Sequence, residues 1–128
     1  MILDTSAIVA ILFREPGCDV LLDKLAGAPS PAVGVPTLTE AAIVVSARIK
    51  RDARTLIARF LMEGSIATVP FGEDHYGAAI EAWLRYGKGR HKAALNFGDC
   101  MSYATAKLSN QPLLCTGDDF SSTDLRLA

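Results

Sequence analysis

Residues 94–104 read Ala-Leu-Asn-Phe-Gly-Asp-Cys-Met-Ser-Tyr-Ala, and this stretch predicts the start of a helix. Asn96 is a favourable N-cap residue, and apolar side chains then recur at helical spacing as far as Leu108. Asp99 therefore lies in the first turn of a helix that is half apolar. Two interpretations stay open: Asp99 completes a capping box with Asn96, or it is a functional carboxylate, since burying an unpaired charge is costly.

Short apolar segments alternate with helical patterns on both sides of this stretch. Strands are predicted at residues 1–3, 32–35, 66–69 and 112–115, with the tail 125–127 as a candidate edge strand. Helices are predicted at 7–13, 18–25, 37–49, 52–61, 73–86 and 96–110. The helix at 73–86 is expected to use one apolar side, formed by Tyr76, Ile80, Trp83 and Leu84. Strands that alternate with helices predict an α/β fold in which a parallel sheet lies between helices.

The composition favours one globular domain with a local functional site. The chain has 128 residues, 50% of them hydrophobic, and a formal net charge of −1, which suits a single domain, residues 1–128, with its own core. A nearly neutral chain has no overall attraction to nucleic acid, so any RNA or DNA site must be local. Three scattered cysteines without a C-x-x-C pattern indicate reduced thiols in the cytoplasm. No apolar run is long enough to span a membrane.

Four acids are predicted at the carboxyl ends of the strands, where open α/β sheets place their sites. Asp4 follows the first strand, Glu40 the second and Asp118 the fourth, and Asp99 opens the helix before the fourth. Each acid alone could be a cap or turn residue, Glu40 as the acid of a capping box begun by Thr37. Four together are harder to explain by capping. Clustered carboxylates favour Mg²⁺ or Mn²⁺, and such a site suits phosphodiester hydrolysis by metal-activated water.

Four motifs, in order along essentially the whole chain, are similar to those of PIN-domain ribonucleases, and most closely to VapC-type toxins. They are Met-Ile-Leu-Asp-Thr-Ser-Ala at 1–7, Thr-Glu-Ala at 39–41, Leu-Asn-Phe-Gly-Asp-Cys at 95–100 and Leu-Cys-Thr-Gly-Asp-Asp-Phe at 114–120. The resemblance implies a PIN-like three-layer fold with a twisted, mostly parallel central sheet. It also implies Mg²⁺-dependent endoribonuclease activity, a homodimer, and inhibition by a cognate VapB-type antitoxin. A PIN nuclease of RNA processing or decay, not a toxin, is the alternative.

The resemblance assigns roles residue by residue. Three positions match the family's acids: Asp4, Glu40 and Asp99. The Thr-x-Asp pattern favours Asp118 as the fourth acid, with Asp119 as its competitor. Supporting positions are a hydroxyl beside the metal at Thr5 or Ser6, and a polar group at Asn96.

A basic segment precedes the helix of Asp99. It contains Lys88, Arg90 and Lys92. Such a run is usually a solvated loop, but here it borders the predicted acidic rim. Contact with RNA phosphates is therefore the functional interpretation.

Apolar side chains on the early helices are the last feature with two interpretations. They are Ile8, Ile11, Leu12, Val20, Leu21, Ile43, Val44 and Leu56. They are either ordinary packing or, in part, a groove for an amphipathic helix of a partner. Because an arginine fork pairs with carboxylates, a basic residue of that partner could also reach the acids.

Overall fold

A parallel sheet forms the centre of the molecule, as the sequence predicts. The computed structural model describes residues 1–128. Its strands are β1 Ile2–Leu3, β2 Ala32–Gly34, β3 Ala67–Val69 and β4 Leu113–Leu114. They lie in the order β3-β2-β1-β4, and every neighbouring pair is parallel. Strand β1 is therefore internal, and its carboxyl end leads directly to Asp4.

Six helices flank the sheet, and each predicted helical segment is confirmed. They are α1 Thr5–Leu12, α2 Cys18–Ala26, α3 Val35–Ile49, α4 Arg54–Glu63, α5 Glu73–Tyr86 and α6 Phe97–Ser109. None of them combines the length and the apolar character needed to cross a membrane. In place of the predicted edge strand, the tail makes a single parallel bridge between Leu127 and Leu113.

Helix α3 begins earlier than the sequence indicates. Gly34 is its N-cap residue and Pro36 lies in its first turn, where the fixed φ of proline and its missing N–H are tolerated. Glu40 consequently lies in the second turn of α3. The interpretation of Glu40 as a capping-box acid is therefore wrong, and its carboxylate is available for another role.

Two hydrophobic cores lie on opposite faces of the sheet. Successive strand residues point to opposite faces: Ile2 and Leu113 pack with residues of α5 and α6, whereas Leu3 and Leu114 pack with residues of α1, α2 and α3. Strands β1 and β4 thus each supply both cores. The three-layer arrangement predicted from the sequence is confirmed.

Helix α5 directs its large apolar side chains outward, contrary to the sequence prediction. Its buried side consists of Ala79, Ala82 and Tyr86, which belong to the core shared with α6. The distance between packed helices depends on the side chains at their contact, and alanines permit a close approach. The large residues are left 43–67% exposed: Tyr76, Ile80, Trp83 and Leu84.

Candidate active site

Asp4 is a buried carboxylate held by three hydrogen bonds. It follows β1, serves as the N-cap of α1 and is only 4% exposed. Its Oδ2 accepts from the backbone N of Ser6 at 3.0 Å and from Ser6 Oγ at 2.6 Å. Its Oδ1 accepts from Ser102 Oγ at 2.5 Å. Asp4 is therefore both a helix cap and a fixed, buried acid, so the two interpretations of its role do not exclude each other.

Glu40 reaches the same region from α3. Its Oε1 accepts a hydrogen bond from Thr5 Oγ1 at 2.5 Å. Its carboxylate lies so close to Gly98, in the first turn of α6, that a Cβ at that position would overlap it. Because position 98 is a glycine, the Glu40 carboxylate can lie against the α6 backbone, and any larger residue there requires the end of the Glu40 side chain to move.

Replacing Gly98 by alanine is expected to displace Glu40. The added methyl group must push the Glu40 carboxylate away from its Thr5 partner, and the loss of a hydrogen bond to a charged group costs about 1.5–3 kcal/mol of stability. Gly77 of α5 is a matched control, because a Cβ there meets no atom within 4 Å. The Gly77→Ala substitution should stabilise the protein by about 0.5–1 kcal/mol. Urea unfolding of the two variants checks this, and a Gly98→Ala variant as stable as the wild type would contradict it.

Asp99 lies in the first turn of α6 with Asn96 as its capping partner. The Asn96 backbone N donates to Asp99 Oδ2 at 3.0 Å, and the Asp99 backbone N donates to Asn96 Oδ1 at 2.9 Å. The capping box is thus confirmed. The pKa of Asp99 is raised to about 6: burial is the largest cause, the Asn96 hydrogen bond opposes it, and the charges of Asp4, Asp119 and Glu40 add to the rise. Asp99 therefore also belongs to a group of mutually repelling acids.

The two candidates for a fourth acid, Asp118 and Asp119, lie in the turn after β4. Of the two, Asp119 is the one whose charge, after the larger effect of burial, adds to the raised pKa values of Asp99 and of Cys115, the latter about 11. Asp118 precedes a 3₁₀ turn, Asp119–Ser122, and its carbonyl accepts from Ser121 Oγ at 2.6 Å. The charges favour Asp119 over Asp118, whose role as the fourth acid stays a prediction.

Contacts of Phe120, within the 3₁₀ turn, and of Asp124, just after it, hold the turn in place. Phe120 is 2% exposed and belongs to the core of α5 and α6. Asp124 accepts hydrogen bonds from Tyr103 Oη and Lys107 Nζ, both at 2.6 Å and both from α6. The position of Asp119 relative to Asp99 is therefore set by α6 itself.

The four carboxylates are suited to a hard cation. The described side chains do not already converge as a cage of three or more ligands. Mg²⁺ does not need such a cage, since it usually keeps several waters and binds proteins through one or two carboxylates. Burial first, and then the charges of neighbouring acids, disfavour the ionised form of Asp99, and a bound cation would offset both effects. The donor set therefore fits Mg²⁺ or Mn²⁺.

Three residues of this region were missed from the sequence: Thr37, Gly98 and Ser102. Ser102 and Thr37 are buried, with their Oγ atoms 3.1 Å apart, and they come from different helices. Only Ser102 offers a local signal, as a polar residue one turn after Asp99. The predicted supporting residues Thr5, Ser6 and Asn96 all hydrogen-bond to acids of the group.

The basic segment before α6 is folded against α5. Arg90 stacks its guanidinium over the Trp83 ring, 4.9 Å from the centroid, and its Nε donates to the Leu84 carbonyl at 3.1 Å. Lys88 and Lys92 are exposed. Of the three predicted phosphate contacts, Arg90 is thus fixed in place by α5.

Comparisons of sequence identify the chain's relatives. The family model described as PIN domain matches residues 1–125. Ribonuclease VapC36 of Mycobacterium tuberculosis is 51% identical over 126 residues, which cover 98% of this chain and 91% of that protein.

Solved structures with the same fold include a VapC toxin and a VapBC protein. VapC20 of Mycobacterium tuberculosis, described as a Sarcin-Ricin loop cleaving toxin, superimposes with a TM-score of 0.78 at 18% identity, covering 99% of this chain and 97% of that chain. VapBC2 from Rickettsia felis, bound to a DNA fragment from its promoter, also gives a TM-score of 0.78 at 18% identity, covering 99% and 96%. At this identity the two structures establish the fold.

Proposed function

The chain belongs to the PIN-domain family and is of the VapC type, and we propose that it is a Mg²⁺-dependent endoribonuclease, the toxin of a type II toxin–antitoxin pair. The observation that carries the proposal is the group of acids around Asp99. Burial raises its pKa most, and the charges of Asp4, Asp119 and Glu40 add to the rise, to about 6 in all. Isolated caps and turn acids would not act on one another in this way. The alternative role in RNA processing would use the same acids, so only the presence of an antitoxin partner distinguishes a toxin from a processing nuclease.

In this proposal the acids have different roles in binding the cation. Asp4 and Asp99 hold the principal Mg²⁺, and Glu40 with the fourth acid completes the site. When bound, Mg²⁺ or Mn²⁺ stabilises developing negative charge and lowers the pKa of a water molecule for attack on the phosphodiester. Ser6 keeps the Asp4 carboxylate oriented, Thr5 donates a hydrogen bond to Glu40, and Gly98 leaves room for the Glu40 carboxylate.

Cleavage of a single-stranded RNA by the purified protein tests the chemistry directly. The protein treated with chelator should be inactive, and added Mg²⁺ or Mn²⁺ should restore cleavage. Full activity in excess chelator would overturn the proposed metal dependence.

The raised pKa of Asp99 makes both stability and metal binding depend on pH. Between about pH 4 and pH 6 this carboxyl binds more protons in the folded than in the unfolded state, because its pKa rises from 3.8 to about 6. The resulting stabilisation is present below pH 3.8 and is lost as the pH rises through 6. Since Mn²⁺ displaces a proton, its affinity should instead increase up to about pH 6, by up to about tenfold per pH unit.

Two titrations check this pH dependence. The Tm of the metal-free protein should fall from pH 4.5 to 6.5, and the fall should shrink in Asp99→Asn. Calorimetric titration with Mn²⁺ should show tighter binding at pH 7 than at pH 5. A metal affinity that is equal at the two pH values would contradict the prediction.

The RNA backbone is proposed to contact the basic segment. Neutralising Lys88, Arg90 and Lys92 together should weaken RNA binding and reduce the salt dependence. Each lost contact with a single strand lowers the slope of log affinity against log salt by about 0.7, hence by about 2 for all three. Fluorescence anisotropy with a labelled RNA in several salt concentrations measures the slope.

A second triple variant provides the control for the basic segment. It neutralises three exposed cations in the loop after α3 and at the start of α4: Lys50, Arg51 and Arg54. This control should leave the slope unchanged. If the two triple variants have the same slope as the wild type, the basic segment is a solvated loop.

A VapB-type antitoxin is the proposed protein partner, and a groove of about 700 Å³ supports it. Its apolar lining comes from α1, α2 and α4 and includes Ile11, Leu12, Leu22, Leu25, Leu56 and Phe60. Three of the residues predicted from the sequence thus line the groove, whereas Ile8 and Leu21 are core residues. The volume of the groove and its apolar lining suit one face of an amphipathic helix.

A homodimer is the proposed state of the free protein, and the outward face of α5 supports it. Ile80, Trp83 and Leu84 form one exposed stripe that continues through Tyr76. A two-fold axis pairs such a surface with itself in a second copy. Light scattering in solution would measure the mass.

A further inference from the structure

A chain of buried hydroxyls leads from α3 through α6 to Asp4. Thr37 is 1% exposed and Ser102 is 0% exposed. Their Oγ atoms lie 3.1 Å apart, and Ser102 Oγ lies 2.5 Å from Asp4 Oδ1. Thr37 and Ser102 are 65 positions apart in sequence, and Ser102 and Asp4 are 98 positions apart. The fold therefore brings three elements together at this one line of polar atoms.

The number of protons on Thr37, Ser102 and Asp4 decides which residue donates each hydrogen bond. An ionised carboxylate only accepts, so Ser102 must donate its single hydroxyl proton to Asp4. Ser102 then has no proton left for Thr37 and can only accept from it. The bonds thus run one way, from Thr37 to Ser102 to Asp4. Without the Thr37 hydroxyl, the buried Ser102 oxygen would lose its only donor.

The same counting shows which part of Asp4 stays free. The carboxylate has about four acceptor positions, two on each oxygen. Ser6 fills both positions on Oδ2 with its backbone N and its Oγ, while Ser102 fills one position on Oδ1. One acceptor position is left, and it is on Oδ1. The oxygen that Ser102 holds is therefore the one that can bind a cation.

We propose that Thr37 and Ser102 are positioning residues that fix Oδ1 of Asp4 for binding a divalent cation through a single lone pair. The proposal rests on the metal site proposed above and adds two residues to it. Groups that orient a metal ligand in this way commonly change metal affinity by about 10- to 100-fold when they are removed.

Thr105 shows what a purely structural hydroxyl in this helix looks like. It is 1% exposed, lies one turn after Ser102 in α6, and donates to the Met101 carbonyl at 3.1 Å. Its hydroxyl thus bonds only within its own helix and makes no link to an acid. The Thr105→Val variant is therefore matched to Thr37→Val in chemistry and burial but not in its connection to Asp4.

Mn²⁺ binding to the purified, metal-free variants tests the proposal without relying on activity. The free Mn²⁺ signal in electron paramagnetic resonance gives the dissociation constant. Thr37→Val and Ser102→Ala should each weaken binding by about tenfold or more. Thr37→Ser keeps the hydroxyl and should restore most of the affinity, and Thr105→Val should bind like the wild type. Because Thr37 acts through Ser102, the double variant should bind about as weakly as Ser102→Ala alone.

The possible outcomes distinguish the positioning role of Thr37 and Ser102, called the relay from here on, from the metal site itself. If the wild type binds Mn²⁺ and Thr37→Val binds it equally well, the relay is overturned while the proposed function stands. Weakened binding in Thr105→Val to the same degree would also overturn it, since general loosening of α6 would then explain the effect. A wild type that binds no Mn²⁺ overturns both the relay and the metal site. Ser102→Ala removes one oxygen only, so it serves if Thr37→Val does not fold.

Discussion

Replacing Asp99 by asparagine is expected to reduce RNA cleavage by at least about 10²- to 10³-fold, the range seen when one group that stabilises transition-state charge is removed. Asparagine keeps the shape of the side chain, and its carbonyl oxygen can still accept from the Asn96 backbone N, as Asp99 Oδ2 does. The cap of α6 should therefore persist. What disappears is one negative charge of the proposed metal site.

Stability should move in the opposite direction from activity. The raised pKa of Asp99 means that its ionised form is disfavoured by burial and by neighbouring acids at neutral pH. Removing the charge relieves that repulsion, so the metal-free variant should be at least as stable as the wild type. A lower Tm together with lower activity would mean that Asp99 acts mainly as a cap.

The control for this substitution is an acid at an equivalent place in another helix. Asp19 lies in the first turn of α2 and is exposed. Asp19→Asn should retain full cleavage. Initial rates on a defined RNA, measured with saturating Mg²⁺, compare the variants. Undiminished cleavage by Asp99→Asn would remove this residue from the site.

Local sequence signals predicted the acids but not how their roles combine. Asp4 and Asp99 follow cap patterns and are indeed caps, yet they also lie among other acids. A spacing rule treats these as alternatives because it considers only neighbours in sequence. Their proximity depends on β1 and α6 being adjacent, which only the alternation of strands and helices indicates. That alternation also gave the parallel sheet and its three layers.

Partners distant in sequence explain what could not be predicted. Ser102 contacts an acid 98 positions away, and Gly98 leaves the space that the Glu40 carboxylate occupies. Neither contact leaves a pattern in the local sequence. The choice between Asp118 and Asp119 depends on the direction of side chains in one turn. In α5, an apolar stripe predicted burial, but Ala79 and Ala82 make the close contact instead.

Expression of the protein alone is expected to arrest growth, and Asp4→Ala should relieve the arrest. The first outcome follows if RNA cleavage inside the cell is unrestrained, and the second because Asp4 holds the proposed cation. Co-expression with a VapB-type protein encoded beside it should restore growth and give a stable, inactive complex. A protein that is abundant, active on RNA and harmless would favour the role in RNA processing.

The groove between α1, α2 and α4 should decide whether the antitoxin can act. Leu22 and Leu56 line it and are 45% and 39% exposed, so both can be changed to glutamate without disturbing the core. A partner helix that buries the remaining exposed surface of these two leucines gains about 1–3 kcal/mol, and losing this lowers affinity by about tenfold or more. The double variant should therefore still cleave RNA and arrest growth, but co-expression should no longer rescue it. Leu108, 46% exposed in α6, is the control: co-expression of the antitoxin should still restore growth fully in Leu108→Glu.

If co-expression of the antitoxin restores growth in the double variant as well, the antitoxin binds elsewhere.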